Sequence, residues 1–122
     1  MTPTQVKTVF VVEDDPGVRA LLESVLSTFY SLRSFDSGRE ALGALQALTP
    51  DVLITDLELP DISGEDLARA AGQLAPPPRI VAMSGDWPRL LRAAGWAQAT
   101  VPKPFAIPVL LGAIEAGERA AS

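Results

Sequence analysis

Three short apolar runs limit what this chain can fold into: Val9-Phe-Val-Val12, Val52-Leu-Ile54 and Ile80-Val-Ala-Met83, each closed by polar residues. None alternates apolar with polar, as a strand with one wet face must. A solid run is buried on both faces, which calls for a parallel sheet with helices above and below. Tyr30 to Phe35 and Ala99 to Pro102 read as weaker edge strands, and Pro102 suits an edge because proline donates nothing to a central ladder. Helical patterns lie between the runs. From Pro16 to Phe29, Val18, Leu21, Leu22, Val25, Leu26 and Phe29 fall on one helix face, with Asp15 as N-cap and Pro16 at the first helical position. Ser37-Gly-Arg-Glu40 and Ser63-Gly-Glu-Asp66 read as capping boxes that open a second and a third helix. Only about two turns fit from Trp87 to Ala94 before Gly95, and a last helix runs from Ala106 to Arg119 with Ile107, Leu110, Leu111 and Ile114 on one side. Strand and helix therefore alternate five times. Right-handed crossovers turn that alternation into a single doubly wound α/β domain.

The chain has 122 residues, enough for one core. It contains no cysteine and no histidine, which removes disulfides, Cys/His zinc sites, thiol nucleophiles and imidazole-based triads. Chemistry is left to carboxylates, hydroxyls and lysine. A formal charge of −5 disfavours direct contact with nucleic acid. Met1 to Lys7 has no leader pattern and no apolar run is long enough to span a bilayer, so a soluble, cytoplasmic protein is expected. Ala75-Pro-Pro-Pro-Arg79 is too short to separate two domains.

In an open sheet of this kind, ligands bind outside the carboxyl ends of the strands. Glu13, Asp14 and Asp15 follow the first strand, Asp56 the third, Ser84 the fourth and Lys103 the fifth. With strand order 2-1-3-4-5, strands one and three are neighbours, so Asp14 and Asp56 converge. Carboxylates this close repel unless a cation sits between them, and Mg²⁺, which takes oxygen ligands and keeps several waters, suits the pair together with a backbone carbonyl. Asp15 is better explained as a helix cap. A carboxylate held beside a metal is a competent nucleophile for phosphoryl groups, which makes Asp56 the candidate. Ser84 has two readings, a hydroxyl donor to phosphoryl oxygens or a cap for the next helix. Lys103 stands between Pro102 and Pro104, and the only other lysine is Lys7, so a placed cation explains it better than a solvated surface does.

Val11-Val-Glu-Asp-Asp15, the segment from Asp51 through Asp56, Pro60 and Gly64, Val81-Ala-Met-Ser84-Gly and Lys103-Pro-Phe105 together resemble the receiver domain of bacterial two-component response regulators. The likeness runs from about Lys7 to Ala120. It implies a flavodoxin-like (βα)5 receiver of the chemotaxis-regulator kind, with Asp56 taking phosphate from a histidine of a sensor kinase or phosphotransfer protein; 122 residues leave no room for an output domain, so a stand-alone receiver is expected. It further implies Asp14 as a direct Mg²⁺ ligand, Glu13 as a ligand through water, and the Glu58 backbone carbonyl as another ligand. Ser84 becomes the switch hydroxyl and Lys103 the phosphate contact, and a cis peptide is implied before Pro104. The signal would pass to a downstream protein by contact or by onward transfer, with at most slow self-catalysed gain and loss of phosphate.

The chain departs from the family at two places. Thr100 occupies the switch position where many receivers carry an aromatic ring, and the stretch from Ser84 to Lys103 is short enough to cost the fourth helix about one turn. Trp87 and Trp96 bracket that stretch, either as interface anchors or as cover for the core edge. Two other functions fit the residues: a scaffold of the same fold that works without phosphate, and an Mg²⁺-dependent phosphatase with Asp56 as its nucleophile. The sequence leaves open the oligomeric state and whether the chain belongs to a longer regulator.

Overall fold

The computed structural model describes residues 6–121. The reading of Met1 to Gln5 as leaderless lies outside them. Among the described residues, β1 (Thr8–Val12), α1 (Pro16–Leu26), β2 (Ser31–Phe35), α2 (Gly38–Ala47), β3 (Val52–Asp56), α3 (Gly64–Ala71), β4 (Arg79–Ser84), α4 (Trp87–Ala93), β5 (Ala99–Pro102) and α5 (Ile107–Ala121) follow one another in strict alternation. The strands form one parallel sheet in the order β2-β1-β3-β4-β5, as expected.

The solid apolar runs are central because both of their faces are covered. Val9, Val11, Ile54 and Val81 meet Leu22 and Leu26 of α1 and Leu110 and Ile114 of α5 on one side. Phe10, Val12 and Leu53 meet Ala41 and Leu45 of α2 and Leu67 of α3 on the other. Each fully buried aliphatic or aromatic side chain here contributes about 1.5–3 kcal/mol. Pro102 sits at the end of edge strand β5, where no ladder partner is lost.

Local chemistry starts the helices where the sequence indicates. Asp15 Oδ1 accepts from the Gly17 and Val18 N–H groups, Ser37 Oγ from Glu40 N–H, and Ser63 Oγ from Asp66 N–H. The boxes are one-sided. Glu40 turns its carboxyl toward Asp36, which raises its pKa, while the Gly38 and Arg39 N–H groups are taken by Asp61.

Helix α1 differs from expectation. It stops at Leu26 and does not reach Phe29, and both Leu21 and Phe29 are exposed. The face against the sheet is narrower than the apolar series: Leu22 and Leu26 fill it, and the turn that follows carries Phe29 outward. The fourth helix is short, as expected, at 7 residues, with only Leu90 and Ala93 buried. Its cap is Asp86, whose side chain accepts from Arg89 N–H, so the capping reading of Ser84 fails. The Lys103–Pro104 peptide is cis, as the resemblance implies, and so is Ala75–Pro76.

Candidate functional site

The ends of β1, β3, β4 and β5 bring Glu13, Asp56, Ser84 and Lys103 to one edge of the sheet. Asp56 is the last residue of β3 and only 3 % exposed. Its Oδ2 accepts from Lys103 Nζ at 2.8 Å and its Oδ1 from the Glu58 N–H at 3.0 Å. Lys103 Nζ also donates to Glu13 Oε1 at 2.8 Å, while Glu13 Oε2 takes the Asp15 N–H at 3.0 Å. Burial is the largest influence on Glu13 and raises its pKa despite the lysine contact. Burial pulls the Lys103 ammonium the other way, but its hydrogen bonds to Asp56 and Glu13 outweigh that and hold its pKa above the ordinary lysine value. The ammonium therefore stays charged between two buried carboxylates.

Asp14 completes the acidic edge. It is exposed, and one carboxylate oxygen from each of Glu13, Asp14 and Asp56 lies within 4.8 Å of the others. Three hard oxygen donors, one open to water, fit a small divalent cation such as Mg²⁺. Gly64 makes this edge possible. A Cβ at that position would stand 2.4 Å from the Asp56 carbonyl oxygen and 2.6 Å from Leu57 Cα, so only glycine lets α3 begin this close to β3.

At the end of β4, Ser84 Oγ donates to Glu58 Oε2 at 2.8 Å and accepts the Asp86 N–H at 2.9 Å. Glu58 Oε2 also lies 3.3 Å from Arg89 Nη1. Arg89 holds Glu65 by two contacts of 2.7 Å and donates to the Leu57 carbonyl at 2.8 Å. Arg89 and Glu65 were not singled out from the sequence. They stand 24 residues apart and meet only when α4 packs beside α3. The usable signal is the acid at position 58, two residues from Asp56, for which a cation is a natural partner.

Thr100 lies in β5 opposite Ala82, half-buried. Trp87 is 59 % exposed at the start of α4. Trp96 lines a groove of about 540 Å³ with Glu65, Arg69, Pro77, Pro78 and Gln98. Neither tryptophan belongs to a buried cluster.

The family model described as "Response regulator receiver domain" matches residues 9–115. The DNA-binding transcriptional regulator NtrC of Salmonella typhimurium is 31% identical over 111 residues, covering 88% of this chain and 24% of that protein. The protein-glutamate methylesterase/protein-glutamine glutaminase 5 of Myxococcus xanthus is 38% identical over 106 residues, covering 81% of this chain and 30% of that protein. The chain thus spans about a quarter of the length of the NtrC relatives it matches. Among solved structures, FixJ-N superposes with a TM-score of 0.83 at 30% identity, covering 95% of this chain and 96% of its own. The chemotaxis response regulator CheY4 of Vibrio cholerae shares the fold, with a TM-score of 0.82 at 24% identity over 92% of this chain and 98% of its own. The matched stretch contains every strand end that carries a site residue, and the chain accordingly belongs to the response regulator receiver domains, the phosphoacceptor modules of two-component signalling.

Proposed function

We propose that Asp56 is the phosphoacceptor, loaded from a phosphohistidine on a sensor kinase or phosphotransfer protein. The observation that best supports this reading is the Asp56 carboxylate itself, buried at the end of a central strand yet joined to Lys103 at 2.8 Å and neighboured by two further acids. In the transfer, an Asp56 carboxylate oxygen forms the O–P bond as the N–P bond of the donor breaks, and the bonding pair returns to the donor imidazole. Little covalent work falls to the receiver, whose task is to position groups and balance charge. Lys103 supplies a cation to the phosphoryl oxygens, and Ser84 supplies a hydroxyl donor. Asp14, Asp56 and the Glu58 carbonyl would hold Mg²⁺, with Glu13 acting through water; the ion, when bound, neutralises charge shared by the carboxylates and the phosphoryl group. Residues 7–120 form the receiver core. Thr100 is the switch position, and the signal passes to a protein partner by contact or onward transfer. Hydrolysis of the acyl phosphate is a slow side activity.

Intact-mass measurement after incubation with Mg²⁺ and acetyl phosphate tests the assignment. Wild type should gain one phosphoryl adduct and folded Asp56→Asn none. An unmodified wild type, or an equally modified variant, rejects it. A phosphate-independent scaffold is the second reading, favoured by Thr100 at the switch position and by a Ser84 hydroxyl already engaged with Glu58. On that reading, Asp56→Asn would leave partner binding unchanged.

A further inference from the structure

Glu58 is an awkward charge to keep beside a phosphoacceptor. Its N–H bonds Asp56 Oδ1, so its carboxylate is rooted two residues from the atom that a phosphoryl group must reach. An unmasked negative charge there repels the incoming phosphate. The carboxylate is instead drawn toward α4, with Oε2 on Ser84 Oγ at 2.8 Å and 3.3 Å from Arg89 Nη1.

Arg89 is held from two sides. Its Nε and Nη2 grip Glu65 Oε2 and Oε1 at 2.7 Å each, and Nη2 also meets the Leu57 carbonyl at 2.8 Å. A planar guanidinium held this way by α3 and by the residue after β3 presents Nη1 at a set angle to Glu58. Ser84 cannot serve two acceptors at once. Its oxygen already receives the Asp86 N–H, and its single proton favours Glu58 Oε2 at 2.8 Å over the Asp86 carbonyl at 3.5 Å. When that proton turns to a phosphoryl oxygen, Glu58 loses a donor and the guanidinium remains.

We propose that Arg89 is a positioning residue of the phosphoacceptor site: pinned by Glu65 and the Leu57 carbonyl, it draws the Glu58 carboxylate toward α4, masks its charge and stays as its partner when Ser84 leaves. The inference rests on the reading of Asp56 as acceptor.

The test is a double-mutant cycle on initial rates of phosphoryl incorporation from acetyl phosphate with Mg²⁺, read by intact mass. Arg89→Gln should slow incorporation roughly fivefold in the native background, but less than about twofold where Glu58 is already Gln. Arg89→Lys, which keeps the charge but not the fork held by Glu65 and the Leu57 carbonyl, should recover only part of the loss. Equal loss in both backgrounds, or no loss in either, overturns the proposal. Should Arg89→Gln not fold, Glu65→Gln carries the same cycle, because it unpins the guanidinium; its loss must again depend on Glu58, and an independent loss overturns the proposal. A wild type that takes no phosphate defeats the acceptor reading and this inference with it, whereas an active wild type with additive losses defeats this inference alone.

Discussion

Arg89 and Glu65 meet through two N–H···O contacts, and this hydrogen bonding holds the Glu65 carboxyl below the ordinary glutamate range, against the opposing effect of burial. A depressed folded-state pKa means that folding favours the ionised form. The resulting stability is fully present above the unfolded value of 4.5 and is lost as pH falls through the folded value. Wild type should therefore exceed Glu65→Gln by about 1 kcal/mol at neutral pH, the pair being partly solvent-screened. The gap should close in acid. Urea midpoints at neutral pH and below the folded value check this, and a gap that holds in acid would assign the effect to packing.

At the scale of elements, the junction between β3 and α3 brings backbone against backbone. A Cβ on Gly64 would press on the backbone of Asp56 and Leu57, whereas a Cβ on Gly38 would meet the Ile62 side chain, at 2.4 Å from Cγ1. Backbone cannot yield as a side chain can. Gly64→Ala should cost about 2–3 kcal/mol and Gly38→Ala nearer 1 kcal/mol in chemical denaturation. Equal costs would mean that the chain relaxes at Gly64.

Such junctions separate what the sequence discloses from what it hides. The strands were legible because Val9 to Val12 and Val52 to Ile54 are apolar without alternation, a pattern that burial on both faces produces directly. The caps were legible because Asp15, Ser37 and Ser63 act on N–H groups two or three residues away. The acidic edge and Lys103 could be placed once strand order was inferred. The exposure of Leu21 and Phe29 could not, because periodicity gives the direction of a helix face but not its width. Nor could the clamp on Glu58, since Arg89, Glu65 and the Leu57 carbonyl meet only through the packing of α4, whose own buried contribution is two side chains.

For the whole molecule, two helices cover one side of the sheet and three the other, and the polar chemistry gathers at the strand ends. No helix among the described residues is long and apolar enough to cross a membrane. Within the net charge of −5, the acids that matter most are unequally placed: Glu13 and Asp56 are buried while Asp14 faces water. Lys103 reaches from the edge strand to both buried acids. Each buried carboxylate therefore has a cation before any divalent ion arrives, and the exposed one is served by solvent. Thermal melts in EDTA should remain cooperative, and added Mg²⁺ should raise the midpoint only by mass action. Loss of the transition in EDTA would show that the fold depends on metal. A lysine that meets both buried acids would uncouple the survival of the protein from ion supply: with Asp56 loaded as proposed, scarcity of Mg²⁺ would silence the signal and leave the stock of receivers intact.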